Sequence, residues 1–369
     1  MKFNIFTKKA NNVTNYAGEK AYRLTPEMEL YSAVVTAGLN DNFYEKSDVR
    51  LARIQELMLK NDPEYIAKLA VYARTEMHMR SIPMVLAVEL AKANSGNAIV
   101  GKTVSGVVKR ADEITELLAY YQMANNRNDV KKLNRLSKQV QKGLSESFNR
   151  FDEYQFAKYN RDTEIKLRDA LFLVHPKAKN DEQQTIFNKI AVNELAVPYT
   201  WETELSALGQ MKYENDKAKV EAVKAKWEEL IDSNKIGYMA LMRNLRNILE
   251  AKVSVSHILK VCAYLSDETA VENSKQLPFR FLAAYREIRV LNSDLVTMIL
   301  NALEDAVVAS VKNLKGFDEN TRVLIACDVS GSMQKAISAK SKVLLFDIGL
   351  MLGMLMQSKC KRVVSGMFG

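Results

Sequence analysis

What most limits the folds open to this chain is an almost uninterrupted succession of helix-period segments from residue 26 to about residue 314. Apolar residues return there at three- and four-residue intervals, and β-type alternation is nearly absent. Helices are expected at 26–39, 47–60, 63–78, 83–94, 102–124, 129–148, 152–159, 163–175, 181–196, 201–209, 216–232, 236–250, 254–265, 278–290 and 293–314. Breaks are marked by Asp62-Pro63, Ile82-Pro83, Asn94-Ser95-Gly96, His175-Pro176 and Val197-Pro198. With only 6 Pro and 14 Gly in 369 residues, the connections are expected to be short. Amphipathic helices joined in this way predict a mainly α fold of stacked helical hairpins, a HEAT-like helical-repeat ring or solenoid. No fixed internal period supports the repeat, so an irregular helical domain is the alternative. Residues 1–23 read as a polar, partly extended lead-in. Thr25-Pro26-Glu27 then reads as a helix start, with a cap, Pro at the first position and acid in the first turn.

The pattern changes after residues 317–320, a plausible linker. Residues 323–327 form a short unbroken apolar run, expected of a strand buried on both faces of a parallel sheet. The run leads into Asp328, Ser330 and Ser332, three oxygen-bearing side chains spaced two apart, with Gly331 allowing a tight turn. A helical run at 342–356 and a second strand at 362–368 follow. Hard oxygens at the carboxyl end of a parallel strand suit a divalent cation, Mg²⁺ or Mn²⁺, rather than zinc. The competing reading is an ordinary strand-to-helix turn with serine as cap. The Asp-x-Ser-x-Ser turn resembles the metal-ion-dependent adhesion site of von Willebrand factor A domains, an α/β (Rossmann-like) fold. Two parallel strands cannot bury both faces of a sheet, so residues 321–369 are expected to be the N-terminal fragment of such a domain. The resemblance implies that its remaining Thr and Asp ligands are missing, which leaves the metal site incomplete.

Three histidines without an HExxH pattern argue against a zinc enzyme. A phosphatase-type loop would need Asp where Ser330 stands, and a GxSxG elbow would need Gly where Asp328 stands. Cys262, Cys327 and Cys360 are far apart among apolar neighbours and predict buried free thiols. Residues 1–10 are polar and basic without an apolar core, and the most apolar run, 343–356, is too short for a bilayer. A cytoplasmic protein without membrane partners is the expectation.

The net charge of +9 is concentrated. Residues 101–180 hold 16 Lys and Arg against 10 Asp and Glu, a local surplus that predicts a polyanion-binding surface. On an expected helix at 129–148, Lys131, Arg135, Lys138 and Lys142 fall within about 60° of one another along roughly 16 Å of axis. Leu133, Leu136, Val140 and Leu144 lie opposite. Such a ridge can follow a phosphate backbone or be a solvated helix face. Lys158, Arg161, Lys166, Arg168 and His175 form a second cluster, with Arg168 and His175 expected two turns apart on one helix. His175 can donate to phosphate, stack on a base, or cap the helix against the core. A third cluster, Arg243, Asn244, Arg246 and Asn247, either lines a wet surface or makes interhelical hydrogen bonds, and Arg280 and Arg286 share that ambiguity.

In combination, WETELS (201–206), IGYMALMRNLRN (236–247), LPFRFLAAYRE (277–287), LRDALFLVHPK (167–177) and the DVSGSM turn resemble the Ro autoantigen family. That family joins a TROVE module to a von Willebrand A domain. The resemblance implies a monomeric ring of helical repeats over 24–317, followed by the A-domain fragment. It implies a non-enzymatic protein that binds structured non-coding Y RNAs on its outer surface and 3′ single-stranded ends of misfolded RNAs through its hole. It further implies that an exoribonuclease can be a partner. On this resemblance Lys158, Arg168 and His175 match positions of the Y RNA surface, Lys142 lies nearby, and Asp328, Ser330 and Ser332 match the metal site. The alternative is a helical-repeat scaffold for proteins, with the A-type metal site capturing a partner's carboxylate.

Overall fold

The computed structural model of the chain describes residues 12–15, 17–37, 47–125, 136–314, 317–338 and 341–369. Its residues divide into two compact units, Met1–Pro198 and Tyr199–Gly369.

The first unit opens with a short antiparallel hairpin, β1 (Asn12–Thr14) and β2 (Lys20–Tyr22). Asn15 Oδ1 accepts from the N–H groups of Ala17 and Glu19, and Gly18 takes the positive φ of +80° that the turn requires. Ten helices follow among the described residues: α1 (Pro26–Val35), α2 (Ser47–Leu59), α3 (Pro63–Thr75), α4 (Ser81–Ala93), α5 (Ala98–Val107), α6 (Asp112–Ala124), α7 (Lys138–Phe148), α8 (Glu153–Tyr159), α9 (Leu167–Val174) and α10 (Asp181–Val192). Their starts are set by local chemistry. Thr25 caps α1 by accepting from Met28 N–H at 3.3 Å, ahead of Pro26 and Glu27. Asp62 caps α3 at 2.7 Å, and Asp152 and Gln155 close a reciprocal box on α8.

One core, running from Leu30 to Ile190, joins these helices. Within it α5 and α7 come close enough for backbones to touch. A Cβ on Gly143 would lie 2.5 Å from the Gly101 carbonyl oxygen and 2.7 Å from Val104 Cβ. Phe148 packs on Phe156 and edge-on to Phe187, and Phe156 packs edge-on to Phe151, all at 5.8–5.9 Å.

Helix 102–124 of the sequence reading is two helices, divided at residues 108–111. No glycine or proline marks the division. The buried Glu113 carboxylate accepts the N–H groups of Lys109 and Arg110 at 2.7 and 3.0 Å, and Arg74 donates to the Val107 carbonyl. A side chain thus replaces the helical partners that the break removes. Glu113 also pairs with Arg74 at 2.8 Å, Asp112 pairs with Arg80 and Arg110, and Arg80 reaches Glu116.

The second unit contains α11 (Trp201–Gln210), α12 (Asp216–Asp232), α13 (Tyr238–Arg243), α14 (Leu245–Glu250), α15 (Val255–Ser266), α16 (Glu268–Ser274), α17 (Pro278–Ile288) and α18 (Val296–Ala309), then a 3₁₀ turn, Ser310–Asn313. A core from Trp227 to Ala309 holds them. The expected helix 236–250 is interrupted at the buried Asn244, whose side chain donates to the Ala240 carbonyl at 2.9 Å. A βαβ unit closes the chain: β3 (Arg322–Asp328), α19 (Leu345–Lys359) and β4 (Arg362–Phe368), the strands parallel with Arg322 opposite Arg362.

The expectation that the first of these strands is buried on both faces does not hold. Cys327 is buried, and Ile325 and Cys327 lie against Gly353 of α19, but the other face is open, with Leu324 78% exposed. A single crossover helix covers one side of two strands and no more. All three cysteines are free, with Cys327 and Cys360 buried and Cys262 half-buried. Among the described residues no helix is long and apolar enough to cross a membrane.

Candidate nucleic-acid interface

α7 separates its residues by face. Val140, Leu144 and Phe148 are fully buried, while Lys138 and Lys142 are exposed. The buried side rests on α5 through Gly143, and Gln141 donates to the Val174 carbonyl at 3.1 Å, tying α7 to the end of α9. Both lysines therefore project from a fixed backbone. The helix begins at Lys138 rather than at 129. Lys131 and Arg135, the other half of the expected four-cation ridge, lie outside the described residues.

α8 is held by Phe156, which is fully buried, and carries Lys158 on its exposed side. The Lys158 ammonium lies 5.5 Å from the Tyr154 ring centre and 5.8 Å from that of Tyr159. Arg161 is exposed in the connection to α9. Lys166 is exposed but paired with Asp162 at 2.9 Å. That contact raises the lysine's pKa and lowers the aspartate's.

The expected helix 163–175 is shorter at both ends. Thr163 donates to the Ile165 carbonyl, and the Asp169 carboxylate accepts Lys166 N–H at 3.2 Å, so α9 starts at Leu167. It stops at Val174. His175 is not on the helix face with Arg168, because its backbone turns left-handed (φ 47°, ψ 55°) while its N–H still reaches the Leu171 carbonyl at 2.9 Å. Its side chain is exposed. Arg168 is exposed as well, 5.7 Å from the Phe172 ring centre.

Lys138, Lys142, Lys158, Arg161 and Arg168 thus make no ion pair among the described residues. The nearby acids Glu153, Asp162 and Asp169 are engaged with Lys189, Lys166 and a helix start. Lys109 has its pKa lowered, first by desolvation and then by Arg150 and Arg74. An open recess of about 420 Å³, counting solvent at its mouth, is lined by Tyr159, Asn160, Arg161 and Thr163 over Asp112 and Glu116. Arg110 stacks on the Tyr159 ring at 4.4 Å, and burial raises the Glu116 pKa. Sequence patterning alone does not reveal this buried charge network or the exposed Tyr154 and Phe172 rings. An aromatic four residues from a cation is the signal that finds the rings.

Part of the third basic cluster is internally satisfied. Arg246 pairs with Glu250 at 2.8 Å and Glu287 at 2.7 Å, and Asn247 donates to Asn244. Arg286 grips Asp347 of α19 through both terminal nitrogens, at 2.5 and 2.8 Å, and donates to the Lys342 carbonyl. The interhelical alternative describes Arg246 and Arg286, whereas Arg243 and Arg280 are exposed with no ion pair among the described residues.

At the end of β3, Ser330 N–H donates to Asp328 Oδ1 at 2.9 Å, and the Ser330 and Ser332 hydroxyls lie 3.2 Å apart. The Ser330 hydroxyl and then its N–H lower the Asp328 pKa. One carboxylate and two hydroxyls fit a hard cation in kind. They supply only part of the roughly six oxygens that Mg²⁺ takes. Among the described residues no group of three or more His, Cys, Asp or Glu adds to them.

The TROVE domain model matches residues 28–224 and 193–301. Telomerase protein component 1 of Mus musculus is 26% identical over 338 residues, covering 69% of this chain and 12% of that protein. The Rattus norvegicus protein of the same name is 24% identical over 335 residues, with the same coverage. The chain therefore spans about an eighth of the length of these curated relatives. The crystal structure of the Deinococcus radiodurans Ro (Rsr) protein shares the fold, with a TM-score of 0.65 at 15% identity over 93% of this chain and 75% of that one. The helical-repeat reading of the sequence is supported by that likeness. With the family model covering most of its length, the chain belongs to the TROVE domain family.

Proposed function

We propose that this chain is the RNA-binding component of a ribonucleoprotein, consistent with the general role of its family. It holds structured non-coding RNA of the Y RNA kind and accepts 3′ single-stranded ends of misfolded RNAs, in RNA quality control. The observation that carries this reading is the set of exposed cations on α7, α8, α9 and the connection between the last two that make no ion pair among the described residues. Lys138, Lys142, Lys158, Arg161 and Arg168 neutralise phosphates and release counterions, which supplies affinity. Lys131 and Arg135 are read as further phosphate contacts from their residue type alone, Lys166 joins by exchanging Asp162 for phosphate, and His175 donates from its exposed ring. Selectivity comes from RNA shape and unpaired segments, since side chains read base edges poorly inside an A-form duplex. Residues 24–317 form the RNA-binding module, and 321–369 the start of an A domain whose Asp328, Ser330 and Ser332 hold one side of a Mg²⁺ or Mn²⁺ ion. An exoribonuclease is the protein partner, and no catalytic role is assigned to the chain itself.

Electrophoretic mobility shift with an RNA stem bearing a single-stranded 3′ tail, at two salt concentrations, tests the reading. Affinity is expected to fall as salt rises, and to fall further in Lys158→Ala with Arg168→Ala. Salt-independent binding, or none, overturns it. The Asp328 turn favours a second reading, a scaffold that captures a protein carboxylate through a metal. Copurified material absorbing at 260 nm and removable by RNase decides for RNA.

A further inference from the structure

Among the described cation–aromatic pairs, two differ from the rest. Tyr154 is 43% exposed and Phe172 49% exposed, whereas the rings of Tyr159, Tyr199 and Phe279 are half-buried. Both exposed rings stand four residues from a basic residue, Lys158 on α8 and Arg168 on α9, which places ring and cation on one helix face. Neither ring is needed for the core. α8 is anchored by Phe156 and α9 by Leu167, Ala170, Leu171 and Val174, all buried. Phenylalanine at 172 therefore leaves half of a large apolar surface in water on a helix whose inward face is already filled.

A flat ring beside a cation matches one nucleotide. The ring accepts a base on its face, and the cation reaches the adjoining phosphate. Duplex bases cannot use such a platform, because they are stacked on one another and their faces are covered. Unpaired bases can, and with little sequence preference, since every base has a π-face.

We propose that Tyr154 and Phe172 are stacking platforms for unpaired RNA bases, so that the basic surface of α8 and α9 takes a single-stranded segment beside the duplex. The inference rests on the RNA-binding reading and adds to it the side chains that hold the unpaired bases, Tyr154 on α8 and Phe172 on α9. The competing role for the same pairs is local helix stabilisation, which would show in melting and not in RNA selection.

The test uses the full chain and an RNA hairpin with a short unpaired tail, in two forms, one with bases and one abasic but of equal phosphate number. Fluorescence anisotropy is read over a range of salt concentrations. Wild type is expected to bind the tail with bases about tenfold more tightly than the abasic tail. Phe172→Leu and Tyr154→Leu should each reduce that ratio several-fold, with the salt slope unchanged, and Phe172→Tyr should restore it. Thermal unfolding of the leucine variants shows that they are folded. Equal binding of the two tails by wild type, or a full ratio in both leucine variants, overturns the proposal. Should the ratio hold while abasic binding is insensitive to salt, the stacking stands and the phosphate reading fails.

Discussion

Two stretches of this chain look alike as sequence and differ as structure. Residues 138–175 and residues 243–287 both set Arg or Lys among leucines and aromatics on consecutive helices. In the second, the side chains of Arg246 and Arg286 end on carboxylates: Glu250, Glu287 and Asp347. In the first, Lys138, Lys142, Lys158, Arg161 and Arg168 meet none among the described residues, although acidic residues are interspersed there too. The difference lies in where the acids go. Around α8 and α9, Asp152 and Asp169 start helices and Glu153 and Asp162 take other lysines, whereas across α14, α17 and α19, Glu250, Glu287 and Asp347 face Arg246 and Arg286. Charge surplus alone would not have separated a surface open to phosphate from a brace between helices.

That contrast can be broken or sharpened by substitution. The largest effect is expected beneath the open surface, at Glu113. Replacing it by alanine strands Arg74 and frees two backbone N–H groups, and should cost about 3–5 kcal/mol in chemical denaturation. A loss below about 1 kcal/mol would show that the basic helices do not depend on this buried network. Next, Gly143→Ala pushes a methyl into the Gly101 carbonyl and should cost about 1–3 kcal/mol. Lys138 and Lys142 would lose their fixed footing, so RNA affinity should fall with it.

Arg286→Ala leaves the buried Asp347 carboxylate without its bidentate partner. After discounting for the partly exposed guanidinium, the loss should be roughly 1–2 kcal/mol. Arg286 holds the Asp347 pKa below its ordinary value, so this stability is present above the usual carboxylate range. It fades as pH falls through the depressed value in the folded chain. Melting curves of wild type and variant should converge under those acid conditions, and a constant gap would reject the assignment.

Smaller in energy but opposite in kind, Lys158→Ala with Arg168→Ala should leave melting unchanged. It should weaken RNA binding several-fold and reduce the salt slope by about one for each phosphate no longer neutralised. Arg246→Ala is the matched control from the braced stretch, and RNA affinity should not move. If both arginine sites affected binding equally, the two stretches would not differ in function.

The existence and order of most helices are legible in the sequence because their apolar spacing is strong, but the short α16, whose one buried residue is Val271, is not. Thr25-Pro26-Glu27 and the second parallel strand are legible for equally local reasons. Helix ends are not, wherever a side chain does what glycine or proline usually does. Glu113 divides α5 from α6, Asn244 divides α13 from α14, and Asp169 delays the start of α9. Each acts through a geometry that composition does not encode. The apolar run at 323–327 reads as doubly buried because a strand's pattern does not say how many helices cover it. At the candidate interface the cations are legible by type, but their freedom from carboxylates is not. Phe172 is hidden for the opposite reason, since an apolar residue in a helical pattern reads as core.

The left-handed stop at His175 carries a consequence of its own. Glycine adopts that backbone with least strain, and a following proline narrows the choices further. A chain optimised only for resistance to heat would place glycine there. Putting one in should raise the melting temperature while removing the imidazole, so durability and grip on RNA would move in opposite directions at a single position.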